Sequence, residues 1–253
     1  MRNINFCFAL LLFAPIFIFA QNRKTITQRY EVRKTKIKEV YEVLNTDDST
    51  KDGSYKYYRN NHLVTEGYYT AGKKDSTWTA YGKSPLATRQ YDHGAGTGEW
   101  IFYTNSGERE WSYSFDSRKI WMPEEVARKF ADTVTYYYQD DSGQWKRDKM
   151  DVNPVPLYGV AEYFRFLSTH LYYPQEAQDH EDQGIVQVAI VVDQNGEATD
   201  WYISESPATS LNDASLEVVK SFYHEFIPAE KNGKKVKCIY YRPVIFKLEI
   251  AHL

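Results

Sequence analysis

An aromatic motif returns at a near-constant interval through the first half of the chain. Gly53-Ser-Tyr55-Lys-Tyr57-Tyr58 aligns with Ser76-Thr-Trp78-Thr-Ala80-Tyr81 and with Gly98-Glu-Trp100-Ile-Phe102-Tyr103, which spaces Tyr58, Tyr81 and Tyr103 by 23 and 22 residues. A second mark follows each copy: Glu66-Gly67-Tyr68-Tyr69, then Arg89-Gln90-Tyr91-Asp92, then Glu110-Trp111-Ser112-Tyr113. Within each unit, aromatic and polar residues alternate in two short runs. Asn60-Asn61, Ala71-Gly72-Lys73, Ser84-Pro85 and Asn105-Ser106-Gly107 separate these runs. Alternation at period two between turn formers is the pattern of a β-hairpin, so each unit reads as one hairpin. The repetition constrains the fold most. A lone hairpin is marginal in water, and a series becomes stable by aligning the same stripe into one continuous core. The aromatic content of 16%, with 22 Tyr, has its cause here, since Tyr packs a ring while its hydroxyl stays at a wet rim. Tyr136-Tyr137-Tyr138 followed by Asp140-Asp141-Ser142-Gly143 reads as a degenerate fourth copy. Residues 30–44 add one or two strands ahead of the first.

The stretch from about 50 to 118 resembles MORN-type repeats in its G-x-W-x-x-Y core and its period, with Ser76 in place of the glycine in the middle copy. The aromatics are expected to be repeat core; a lipid- or protein-binding face made of them is the alternative.

The chain begins with Arg2 and a nearly unbroken apolar run from Phe6 to Ala20, then turns polar at Gln21-Asn22-Arg23-Lys24. A run of this length suits a secretory signal better than a membrane span, which wants about 20 residues. Cleavage is expected between Ala20 and Gln21, which implies export to the periplasm or cell envelope; an uncleaved segment would anchor the chain in the inner membrane. Cys238 is then the single cysteine of the mature chain and cannot form an internal disulfide; a small buried side chain in a strand is the expected role. The net charge of −3 gives no basic field for nucleic acid.

Pro123-Glu124-Glu125 predicts a short helix start, and Asp151-Val-Asn-Pro154-Val-Pro156 a boundary. The divisions are a signal peptide at 1–20, a repeat module at 21–121, a linker with a short helix and the degenerate hairpin at 122–157, and a C-terminal domain at 158–253. In the last, Val160, Tyr163, Phe164, Leu167 and Leu171 have helical spacing, and Tyr173-Pro174 stops the helix. Residues 185–192 hold one polar residue, Gln187, and predict a buried central strand. Asp193-Gln-Asn195-Gly196 predicts a tight turn into a returning strand with Trp201 and Ile203 on one face. Ser210-Leu-Asn-Asp213 reads as a capping box before a helix whose stripe is Leu211, Ala214, Val218 and Phe222. Asn232-Gly233 turns the chain into a last strand. The expected fold is an all-β module of stacked hairpins followed by an α+β domain. That domain has the order α-β-β-α-β: a three-stranded antiparallel sheet with two helices. The apolar strand should be central and the last strand at an edge, where Pro243 is tolerated.

These residues resemble the C-terminal domain of the TonB family over about 160–250. The matches are Tyr173-Pro174 with Ala177, Gly184-x-Val186-x-Val188, Asn195-Gly196, Ser204, Ser206, Leu211, Ala214, Phe226-x-Pro228-Ala229, Gly233-Lys234-x-Val236 and Pro243-Val-Ile245-Phe246. The resemblance implies an edge strand lent to a short peptide segment of an envelope protein or outer-membrane transporter. A force-transmitting member also needs a membrane anchor and a Pro-rich spacer; here a compact repeat module stands in the spacer's place, so peptide binding is the part that carries over. The contact residues expected are Tyr173, Arg242, Val244, Ile245, Phe246, Lys247, Leu248 and Ile250. Main-chain hydrogen bonds would give affinity and alternate side chains selectivity. A homodimer through the same edge, or cover by the repeat module, is the other use of such a strand.

No enzyme, cofactor or metal is expected. His224-Glu225 has Pro228 where a zinc helix needs its second histidine. Gly82-Lys83-Ser84 has Thr77 where a phosphate loop needs glycine. Asp48-x-Thr50-x-Asp52-Gly53 suggests a calcium loop, but Arg59 stands at the bidentate glutamate position. No serine lies in a nucleophile elbow, and His170 and His180 have no cysteine partners nearby. A repeat scaffold binding protein or lipid through its hairpins is the alternative function.

Overall fold

The computed structural model describes residues 22–124, 135–222 and 225–248. The expected signal segment, Ile250, His224 and all but the start of the helix expected after Pro123 lie outside these ranges. The repeat module is a single antiparallel meander of nine strands in sequence order: β1 (Arg23–Val32), β2 (Thr35–Leu44), β3 (Asp47–Arg59), β4 (His62–Thr70), β5 (Lys73–Tyr81), β6 (Pro85–Asp92), β7 (Ala95–Tyr103), β8 (Arg109–Ser114) and β9 (Lys119–Trp121). The hairpins therefore join edge to edge. Several turns take left-handed residues in succession, as at Asn60-Asn61 (φ 47° and 65°) and Ala71-Gly72 (φ 49° and 78°), the twist-matched geometry of two-residue hairpins.

The repeat is structural as well as sequential. The Trp78 indole N–H donates to the Tyr68 carbonyl at 3.0 Å, and the Trp100 indole to that of Gln90 at 2.8 Å. Tyr69 lies 5.0 Å from Trp78 and Tyr91 lies 5.1 Å from Trp100, ring centre to ring centre. Strand pairing sets the register: Tyr55 faces Gly67, Trp78 faces Arg89 and Trp100 faces Tyr113. This puts Tyr69, Tyr91 and Phe115 in equivalent places, rather than the Tyr68–Tyr91 alignment suggested by the sequence. The aromatics form one buried face: Trp100 and Phe102 are fully buried, and Phe102 stacks on Trp111 at 4.2 Å.

The C-terminal sheet has five strands where three were expected, in the order β11-β10-β18-β13-β14. β10 (Tyr136–Gln139) and β11 (Trp145–Asp148) come from the presumed fourth hairpin copy. β10 pairs with the last strand, at Tyr137↔Ile239 and Tyr138↔Cys238, β11 pairs with β10, and neither pairs with the meander. The linker thus contributes to the C-terminal sheet. A two-residue strand, β12 (Val155–Pro156), precedes helices α1 (Val160–His170) and α2 (Gln175–Asp179). β13 (Gly184–Val192) is paired on both sides, as its composition predicts, and β14 (Ala198–Glu205) is its hairpin partner. The last strand, expected at an edge, is the middle one of the five because β10 adds to its outer side. Gly196 is required in that turn: its φ is 85°, and a Cβ would fall 1.9 Å from the Phe226 carbonyl oxygen.

Helix α3 (Asn212–Lys220) follows a 3-10 turn at Thr209–Leu211. Its stripe is the expected one, with Leu211, Ala214 and Val218 buried. The capping box does not form: Leu211 occupies the cap position, and the Ser210 hydroxyl donates to Asp182 instead. β15 (Phe226–Ile227), β16 (Ala229–Lys231) and β17 (Lys234–Val236) lead into β18 (Cys238–Phe246), which pairs along its whole length with β13.

Helix α1 is shared between two cores. Tyr163 is buried with Leu157 and Tyr158 among the repeat aromatics, while Phe166 and Leu167 also pack toward the C-terminal core. Val160 and Phe164, expected on the inner face, are 49% and 57% exposed. The helix has rotated to present Tyr163 and Phe166, because its neighbours lie on two sides and not one.

Candidate functional site

The last strand sets the geometry of the expected binding edge. The Gln139 N–H donates to the Lys237 carbonyl at 2.8 Å, so residue 237 presents its backbone groups to β10. Antiparallel strands alternate which side their N–H and C=O groups face. β18 pairs with β13 without a register shift. Residues 238, 240, 242, 244 and 246 therefore bond to β13, and 239, 241, 243 and 245 face the other way. β10 covers that outer side through Ile239. From Tyr241 to Phe246 no described strand pairs with it. Pro243 is on the outward set, so its missing N–H costs the sheet nothing and removes one donor from the edge.

Seven of the eight expected contact residues are described, and they divide into three groups. Ile245 is 57% exposed beside the unpaired edge; Lys247 is exposed and Leu248 half-buried just past the strand end. Its neighbour across the sheet, Ile185, is 52% exposed, so the two form an apolar pair on the face away from the helices. Val244 and Phe246 are buried in the C-terminal core, and Tyr173 packs edge-on against Phe246 at 5.3 Å while its hydroxyl donates to the Asp182 carbonyl. Arg242 turns inward. Its guanidinium lies over Tyr163 at 4.4 Å, Tyr158 at 4.9 Å and Tyr240 at 5.0 Å. Burial lowers its pKa, and the ring faces supply the compensating field. It reaches the seam between the modules and not the edge. Ile250 lies outside the described residues.

That seam was not legible in the sequence. Arg89 of β6 forms a bidentate pair with Glu162 of α1, at 3.0 and 2.7 Å, with side chains 7% and 13% exposed. Arg59 of β3 donates to the His170 ring at 2.7 Å and to the Thr169 carbonyl. The His170 Nδ1 lies 3.0 Å from the Phe166 carbonyl. That fixes the proton on Nδ1 and leaves Nε2 to accept from Arg59. One signal was present: opposite the aromatic of each copy, Arg89 stands where the neighbouring copies have Gly67 and Tyr113, a charge on the packed face of the repeat.

The motifs set aside in the sequence have structural roles. Asp52 bonds Arg23 at 2.8 Å and accepts from the Ala71 N–H at 2.9 Å, so the calcium-like stretch is strand β3 and its carboxylate is engaged. Cys238 is fully buried, which pushes its thiol up to about 12 and makes it inert. Among the described residues one group of potential metal donors lies close together, Asp75, Asp92 and His93, on hairpin tips with His93 and Asp92 exposed. Among the described residues no helix is long and apolar enough to cross a membrane.

The fold and edge define a class: a β-rich chain in which a hairpin meander is docked on an α+β domain with a partly unpaired sheet edge. Residues 169–248 match the family model of the Gram-negative bacterial TonB protein C-terminal. The match covers α2 to β18 and leaves the repeat module outside it. No curated protein and no solved structure matched the chain.

Proposed function

We propose that this chain is an exported, non-enzymatic adaptor of the cell envelope. Its C-terminal domain captures a peptide segment of an envelope protein, such as an outer-membrane transporter, by strand addition to β18. The observation that carries this reading is the outward edge from Tyr241 to Phe246, inside the segment that matches the TonB C-terminal model. An added strand would meet the carbonyls of residues 241, 243 and 245 and the N–H groups of 241 and 245. Its alternate side chains would meet the Ile185–Ile245 pair. β10 already uses the adjoining part of this edge, so the strand accepts pairing on that side. The opposite edge of the sheet is less suited: pairing of β14 is interrupted by two register shifts, and the strand carries Asp200 and Glu205. Bulged, charged edges resist strand addition.

Ile245→Pro removes one outward N–H and leaves the bonds to β13 intact, and Ile245→Ala controls for the side chain. The full chain and both variants are used to capture partners from solubilised envelope. The alanine variant should retain the same bound protein, and the proline variant should lose it while keeping its unfolding free energy within about 1 kcal/mol of wild type. Capture by a folded Ile245→Pro protein would refute the edge-strand reading.

A further inference from the structure

The seam between the modules encloses a cavity of about 350 Å³, within the size range of small-molecule sites. One wall is the repeat sheet, with Trp78, Tyr81, Leu86 and Tyr91; the other is Phe166 of α1 and Phe222 after α3. Such a lining takes an apolar body. The charges around it do not balance. Arg59, Lys74, Arg89 and Arg165 line the cavity, against one carboxylate, Glu162. Glu162 is held by Arg89, and Lys74 lies in the field of Glu162 and Glu225. Arg59 and Arg165 meet no carboxylate among the described residues. Arg59 donates to neutral acceptors, namely the His170 ring, the Thr169 carbonyl and Thr35. The fixed, neutral His170 leaves the charge of Arg59 uncancelled beside an aromatic chamber.

We propose that this cavity is a second binding site, distinct from the β18 edge, for a small organic anion: a carboxylate carried on an aryl or short alkyl body. The body lies against Trp78 and Phe166, and the carboxylate faces Arg59 and Arg165. Arginine suits this role because it stays charged when desolvated and offers paired donors to a carboxylate. Both modules build the site, so a ligand there would also tie them together.

The test uses the purified full chain and isothermal titration with 3-phenylpropanoate, its neutral amide and 3-phenylpropylammonium. Saturable one-to-one binding of the acid is expected, with the amide weaker by about tenfold or more and the ammonium not bound. Ala80→Phe places a ring in the cavity and should abolish binding. Arg165→Gln should weaken the acid about tenfold and leave the amide unchanged. Three results overturn the proposal: no saturable binding at millimolar acid, equal binding of acid and amide to the wild type, or undiminished binding by folded Ala80→Phe. Should Ala80→Phe fail to fold, Arg165→Gln decides by itself: loss of the preference for the acid supports the site, and its retention overturns it.

Discussion

Replacing Glu162 by Gln keeps the side-chain shape and removes the charge that the two terminal nitrogens of Arg89 hold at 3.0 and 2.7 Å. Arg89 stays where it was, 7% exposed, with Trp100 and Phe102 rings 5.6 and 5.2 Å from its guanidinium carbon. A charge with rings on one side and the cavity on the other recovers its lost partner from water only in part. Breaking a buried ion pair from one side costs about 3–5 kcal/mol. The glutamine amide still accepts one hydrogen bond, so the lower end, about 3 kcal/mol, is expected. At about 2–4 °C per kcal/mol for a chain of this size, the thermal midpoint should fall by about 6–12 °C. Arg89→Met strands the carboxylate instead and should cost a similar amount. Removing both charges together, Arg89→Met with Glu162→Leu, should return stability to within about 1 kcal/mol of wild type, because apolar replacement of a whole buried pair is often neutral. Urea unfolding followed by tryptophan fluorescence gives all three values, and the double-mutant cycle gives the coupling. A loss below about 0.5 kcal/mol for Glu162→Gln would mean that water reaches the pair. A double variant as unstable as the sum of the singles would mean that lost packing, not stranded charge, sets the cost. Either result refutes the reasoning.

Trp100→Ala should destabilise by about 3–5 kcal/mol, since the ring is fully buried. Gly67→Ala tests the packing from the other side: the new Cβ would fall 2.2 Å from the Trp78 ring, so chemical denaturation should show a clear loss. That loss should be larger than the about 1–2 kcal/mol that the left-handed backbone (φ 81°) alone should cost in Gly143→Ala, where nothing lies within 4 Å of the new Cβ. Burial, with Arg59 adding to it, holds the His170 pKa below its ordinary value. The folded chain then binds fewer protons than the unfolded chain below about pH 6.5, so this contribution is complete above that pH and is lost as pH falls toward the depressed value. Thermal midpoints between about pH 7.5 and pH 5 should drop more for wild type than for His170→Gln; equal slopes would show that His170 does not titrate against the fold.

The division between local and tertiary information follows the range of the forces involved. Strand alternation, turn formers and the 22-residue echo act between residues near in sequence, so the hairpins, their turns and the buried Trp78 and Trp100 could be read from the chain, whereas their joining edge to edge into one meander could not. The pairing of β13 on both sides, set by its apolar composition, could also be read; the edge position expected for β18 held only for its outer side from Tyr241 on, because β10 pairs with the rest. Where Tyr136-Tyr137-Tyr138 would go was not legible. Its composition matches the repeats, but its partner is the outer side of β18, and edge pairing depends on which backbone groups remain unbonded after the sheet is built. The rotation of α1 was undetermined for a related reason: one helix faced two cores, and periodicity specifies a stripe only where there is one neighbour. The Arg89–Glu162 pair, the inward turn of Arg242 and the cavity beside Arg59 and Arg165 join residues from about 70 to more than 100 positions apart. No local pattern links such residues. A charge buried at a core position gains its counter-charge only when the second module docks, so the tertiary structure alone decided that the two modules share a seam and that the seam carries chemistry.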